Sequence, residues 1–131
     1  MYRVITCNTN GIRAAARKGF FEWLSQQSAD VVCIQEIKAK EVQLTDSVFY
    51  PEGYHCFYNE AERPGYSGTA VFAKEKPQRV VSRLDWEIVD SEGRYLQVDF
   101  PGLSVISLYV PSGSASEKAQ ARKDGFMGPF Y

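Results

Sequence analysis

Residues 29–38 read Ala29-Asp30-Val31-Val32-Cys33-Ile34-Gln35-Glu36-Ile37-Lys38. Four consecutive apolar residues between Asp30 and Gln35-Glu36 predict a short strand covered on both faces, not one alternating between core and solvent. Upstream, residues 2–8 alternate two faces, favour strand, and end at Asn8-Thr9-Asn10-Gly11, which is loop chemistry. Between the two, residues 14–27 place Phe20, Trp23 and Leu24 at i, i+3 and i+4. Arg17, Lys18, Glu22 and Gln26 lie elsewhere on the wheel, so an amphipathic helix is expected, with Gly19 as its weak point. Strand, helix, strand predicts a parallel crossover and hence an α/β sheet.

Beyond Lys38 the pattern changes. Residues 39–51 have no clear period. Extended segments follow at 54–59, 68–74, 78–84, 94–100 and 103–110, with short turns at Asp90-Ser91-Glu92-Gly93 and Pro101-Gly102, as in antiparallel neighbours. Ser114 and Glu117 have the spacing of a capping box, which predicts a last helix weakened by Gly125, Gly128 and Pro129.

The 131 residues are 44% hydrophobic, 14% aromatic and 24% charged, with a net charge of -1. This is the composition of one soluble domain, with Trp23, Trp86 and the phenylalanines available for its core. It excludes a disordered chain or a fibrous repeat. No apolar run approaches the roughly 20 residues that cross a bilayer, and the N-terminus is too short for a signal peptide, so a cytoplasmic protein with no membrane partner is expected. Cys7, Cys33 and Cys56 show no zinc or redox spacing and read as small buried thiols; His55 reads as a strand residue.

Charge is uneven along the chain. Residues 1–40 hold six bases (Arg3, Arg13, Arg17, Lys18, Lys38, Lys40) against Glu22, Asp30 and Glu36, whereas residues 41–60 hold four acids and no Lys or Arg. A local basic face is therefore compatible with a neutral total, although charge alone fits a solvated face better.

Two adjacent parallel strands ending near Asn8 and Glu36 would bring an amide oxygen and a carboxylate to the carboxyl edge of one sheet, where α/β proteins bind ligands. Such donors suit Mg²⁺ or Mn²⁺. Spacing alone also fits a turn at Asn8 and a surface pair of Glu36 with Lys38. Ser67, flanked by Gly65 and Gly68, reads as a tight turn, because no base accompanies it as a nucleophile would require.

Five strings occur in one order: residues 7–14 (CNTNGIRA), 29–38 (ADVVCIQEIK), 65–68 (GYSG), 92–94 (EGR) and 108–113 (LYVPSG). Together they resemble the exonuclease III family of AP endonucleases, within the endonuclease/exonuclease/phosphatase (DNase I-like) superfamily, over residues 3 to about 123. The resemblance implies the N-terminal half of a four-layered α/β sandwich, a mixed β-sheet with flanking helices. Residues 1–131 would then form a single, C-terminally incomplete domain with its inner sheet face uncovered.

The resemblance also implies a DNA repair phosphodiesterase that depends on Mg²⁺ (or Mn²⁺). It would cleave 5′ to abasic sites and act as a 3′-5′ exonuclease on double-stranded DNA, as a monomer when full length. Glu36 corresponds to the metal-binding glutamate, Asn8 lies at the same metal and phosphate site, and Asn10 is a secondary metal candidate. Lys38 stands beside the glutamate, Arg13, Lys38 and Tyr66 are DNA contacts, and Tyr109 is similar to the active-site tyrosine beside the scissile phosphate. The family's later Gly-Asp-x-Asn and Asp-His motifs do not occur here. The alternatives are a catalytically incomplete fragment that binds metal or DNA weakly, and a superfamily phosphatase or lipid phosphodiesterase.

Overall fold

A computed structural model describes residues 2–110. The helix expected from Ser114 lies outside the described residues. β1 (Val4–Asn8) is followed by α1 (Ile12–Arg17), α2 (Phe20–Ser25) and β2 (Val31–Gln35). β1 and β2 are parallel, with Asn8 opposite Gln35, so the expected crossover forms. β3 (His55–Asn59) and β4 (Thr69–Ala73) complete a sheet of order β1-β2-β4-β3. β5 (Arg79–Val81), α3 (Glu87–Ser91), β6 (Tyr95–Phe100) and β7 (Leu103–Leu108) follow, and the three strands form a second, antiparallel sheet. Single turns of 3₁₀ helix at Glu41–Gln43 and Ser47–Phe49 give the aperiodic stretch its form. The second is capped by Asp46, whose carboxylate accepts from the Val48 amide at 3.0 Å.

The apolar run of β2 is buried on both sides. Val32 and Ile34 join Ile12, Leu24, Ile37 and Phe72 under the helices. Val31 and Cys33 face the second sheet, packing with Val71, Leu96, Val98 and Val105. The second sheet therefore covers the inner face of β2 and β4, correcting the expectation of a bare inner face. β1 remains open at the edge, with Val4 47% exposed.

Two other expectations are corrected and one is refined. The single helix over 14–27 is two, because Gly19 takes φ +93° and breaks the ladder; the wheel restarts there, burying Phe21 and Leu24 while Trp23 stays 45% exposed. The five later strands do pair as antiparallel neighbours, β3 with β4, β5 with β6 and β6 with β7, but they do so in two sheets, because β4 turns its other edge to β2. Residues around the expected turn at Asp90 form α3, held by the Asp90 carboxylate, which accepts from the amides of Leu84 (2.8 Å) and Trp86 (3.2 Å).

Cys33 is buried, Cys7 and Cys56 are partly so, and all three are free thiols. Burial pushes Cys33 up to about 11 and Cys56 up to about 12, which keeps both protonated and inert. Among the described residues no helix is long and apolar enough to cross a membrane.

The turn leading into β6 allows no side chain at Gly93. A Cβ there would lie 2.5 Å from the Asn59 carbonyl oxygen and 2.8 Å from the Glu60 carbonyl carbon, and φ is +57°. Gly93→Ala is expected to cost about 3 kcal/mol from overpacking and backbone strain. That corresponds to a fall in Tm on the order of 10 °C, measurable by calorimetry.

Candidate active site

Three loops are stitched together at the carboxyl end of β1 and β2. Beyond the last ladder pair, the amides of Thr9, Gly11 and Ile12 donate to the carbonyls of Gln35 (3.0 Å), Glu36 (2.7 Å) and Ile37 (2.9 Å). On the other side, the amides of Ile37 and Lys38 donate to Gly68 (3.2 Å) and Ser67 (2.9 Å). Four non-glycine residues in these loops sit in the left-handed region: Asn10 (φ 47°), Glu36 (φ 53°), Lys38 (φ 50°) and Ser67 (φ 51°). Such a conformation costs on the order of 1 kcal/mol or more at each position and persists where surrounding structure imposes it, which is characteristic of functional sites.

Glu36 is the centre of this arrangement. Its Oε1 accepts from the Tyr109 hydroxyl at 2.5 Å and from Asn8 Nδ2 at 3.1 Å. Its Oε2 has Lys38 Nζ at 3.4 Å, and the side chain is 17% exposed. Burial pushes the Glu36 carboxyl up, but the hydrogen bonds from Tyr109, Asn8 and Lys38, with the Lys38 charge, outweigh it and hold the group below its ordinary value. At neutral pH it is a carboxylate. Tyr109 moves the other way: burial, then its bond to Glu36 and that carboxylate's charge, push the phenol up to about 12 against the opposing charge of Arg94. Tyr109 is thus a protonated donor at neutral pH.

The two asparagines organise the charged pair. Asn8 Oδ1 accepts from the Asn10 amide at 2.9 Å, which turns the Asn8 Nδ2 toward Glu36. Asn10 Oδ1 accepts from Lys38 Nζ at 2.6 Å. Arg13 joins through its guanidinium, which donates to the Lys38 carbonyl at 3.2 Å. Arg13, Arg17 and Lys38 line one cleft with Gly11, Ala14 and Gly65, and no carboxylate lies among these residues. Tyr66 sits a layer away, its hydroxyl accepting from Arg94 at 3.0 Å and its ring under the Arg63 guanidinium at 5.0 Å. Asn8, Asn10, Glu36, Lys38 and Tyr109 therefore form one cluster, with Arg13 on its flank and Tyr66 connected through Arg94.

Sequence reasoning missed the link between the sheets. Tyr109 follows β7 in the second sheet, whereas Glu36 follows β2 in the first. Fully buried Ser107 joins them, donating to the Ile34 carbonyl at 2.9 Å and accepting from Gln35 Nε2 at 3.1 Å. Gln35 and Ser107 each precede a central residue by one or two positions, the only trace of this role in the chain.

Among the described residues no three His, Cys, Asp or Glu come together as a metal cage. A mostly buried carboxylate whose Oε2 faces Lys38 at 3.4 Å instead fits a hard divalent cation that keeps most of its water. Asn8, expected to offer an amide oxygen beside it, turns its Nδ2 to Glu36 and spends its Oδ1 on the Asn10 amide, so here it orients the carboxylate. Glu36 Oε2 is the oxygen least engaged by the protein.

The sequence model of the Endonuclease/Exonuclease/phosphatase family matches residues 5–126. The chain is 39% identical over 111 residues to an exodeoxyribonuclease of Bacillus subtilis, covering 84% of this chain and 43% of that protein. It is 32% identical over 114 residues to the DNA repair nuclease APEX1 of Danio rerio, covering 86% of this chain and 37% of that protein. An AP endonuclease structure from Archaeoglobus fulgidus superposes with a TM-score of 0.82 at 30% identity, over all of this chain and 50% of that one. The chain thus spans half or less of the length of each of these relatives.

Proposed function

The chain belongs to the Endonuclease/Exonuclease/phosphatase family, and from that premise we propose that it supplies the metal-holding half of a DNA repair phosphodiesterase. The substrate would be double-stranded DNA, cut 5′ to an abasic site or shortened from a 3′ end. One observation carries this reading: Glu36 accepts the Tyr109 hydroxyl and Asn8 amide on one oxygen while facing Lys38 with the other. That arrangement joins a metal-holding carboxylate, a neutral donor and a fixed cation, which are three of the needs of phosphodiester cleavage.

Glu36 would hold Mg²⁺ or Mn²⁺, with Asn8 and Asn10 orienting Glu36 and Lys38. The ion, when bound, would neutralise charge on the phosphoryl oxygens and stabilise the leaving oxygen. With DNA bound, Tyr109 would turn the single donor it gives Glu36 in the free chain to the reacting phosphate, and Lys38 would place a positive charge beside it. The cationic cleft of Arg13, Arg17 and Lys38 suits the phosphate backbone, and Tyr66, which lines a separate pocket with Arg63 and Glu62, would meet the DNA beyond it. Among the described residues the partners of Glu36 include no His or Asp to act as general base. We assign that role to a part of the catalytic domain beyond the described residues, in keeping with the chain's share of its relatives' length.

The test is a duplex carrying one abasic site, incubated with the full-length gene product and Mg²⁺. Nicking 5′ to the site, abolished by EDTA, is expected. Absence of nicking with either Mg²⁺ or Mn²⁺ would overturn the proposal.

A further inference from the structure

Arg94 is 2% exposed, the largest side chain buried so completely among the described residues. Taking a guanidinium out of water costs several kcal/mol, and a site that needed only packing would be filled more cheaply by an apolar residue. Glu92 supplies a single carboxylate, 3.1 Å from Arg94 NH2, and Arg94 Nε has no hydrogen-bond partner. Stability alone therefore explains this residue poorly.

Its remaining contacts point one way. Arg94 NH1 donates to the Tyr109 carbonyl at 3.1 Å, and the Tyr109 amide donates back to the Arg94 carbonyl at 2.9 Å. The guanidinium lies 4.8 Å from the centre of the Tyr109 ring and 5.8 Å from that of Tyr66, whose hydroxyl it also meets. The amide bond continues the β6–β7 ladder and would form with any residue at 94, so the guanidinium itself holds Tyr109 at its carbonyl and its ring. The same turn grips the Glu36 side of the site: the Gly68 amide donates to the Glu92 carbonyl at 3.3 Å, and Thr69 Oγ1 to the Gly93 carbonyl at 2.9 Å.

We infer that Arg94 is the positioning residue of Tyr109, clamping its backbone and ring so that the phenol points at Glu36 and the reacting phosphate. This rests on the nuclease reading for its consequence in turnover, but not for the clamp itself. The planar fork is what the geometry uses, so a lysine, which keeps the charge and loses the fork, does not replace it. Because Arg94 acts through the Tyr109 hydroxyl, its effect disappears once that hydroxyl is gone.

Two measurements decide it. In the full-length enzyme, Arg94→Lys is expected to lower kcat by ~30-fold with little change in KM or in Mn²⁺ affinity. In a Tyr109→Phe background the same change is expected to cost less than ~3-fold. A full, additive loss in the double variant overturns the inference, since a purely structural role would be additive. The second measurement needs no turnover and so remains decisive if the nuclease reading fails. With 3-fluorotyrosine at position 109, the chain should show one narrow fluorine resonance, which broadens or splits in Arg94→Lys and, more mildly, in Tyr66→Phe. An unchanged resonance in a folded Arg94→Lys variant overturns the clamp, and Tyr66→Phe provides the same reading if Arg94→Lys does not fold.

Discussion

Glu36→Gln should lower metal-dependent nicking by ~10³-fold or more, equivalent to about 4 kcal/mol of transition-state stabilisation. The substitution keeps the side chain's shape and leaves an amide oxygen for Tyr109 and Asn8, so the loss would report charge and not packing. Two features make the effect large. The carboxylate is the one acidic group that Tyr109, Asn8 and Lys38 all address. It is also held ionised at neutral pH, where Mg²⁺ needs a charged ligand. Folding should suffer little, because glutamine is isosteric and keeps an oxygen to accept from Tyr109 and Asn8. Titration of Mn²⁺ binding by electron paramagnetic resonance should show the site lost, while the melting temperature stays within a few degrees of the parent. A Glu36→Gln enzyme retaining more than a tenth of its activity would remove Glu36 from the metal role.

The parts of this site that could be read from sequence are those governed by local pattern. The uninterrupted run Val31–Ile34 predicted burial on both faces, and the structure covers it with helices on one side and a second sheet on the other. A parallel β1–β2 pair in register from Val4 to Asn8 then necessarily brings Asn8 beside Glu36, one residue past the ladder. What could not be read were choices among partners. Alternation shows that residues 68–74 and 94–100 are extended, but it carries no information on which strand each pairs with, so the division into two sheets was hidden. Tyr109 reaches Glu36 from the other sheet across 73 positions of sequence, and only the resemblance indicated it. Gly19 was visible as a weak point in a helix, yet whether it bends or breaks depends on packing on either side. The buried guanidinium of Arg94 contradicts the ordinary rule that arginine stays at the surface.

Tyr109→Phe removes one oxygen atom and is expected to lower kcat by ~10²-fold, about 2.7 kcal/mol, with KM nearly unchanged. The ring would remain over Arg94, and the backbone bonds that hold residue 109 do not involve the hydroxyl. The variant therefore isolates the donor. What kind of donor it is follows from its pKa of about 12, raised by burial and by Glu36. A group protonated throughout the neutral range is a poor proton shuttle at pH 7 to 8, but it can stabilise developing charge by hydrogen bonding, which requires no proton release. The rate profile of the parent enzyme should accordingly show no alkaline limb below about pH 10 that disappears in the phenylalanine variant. If Tyr109 instead worked as an acid with a neutral-range pKa, such a limb would be present and the substitution would abolish it. If the variant kept full activity at every pH, the hydroxyl would serve only to anchor Glu36, and the donor to the phosphate would have to be sought elsewhere in the catalytic domain.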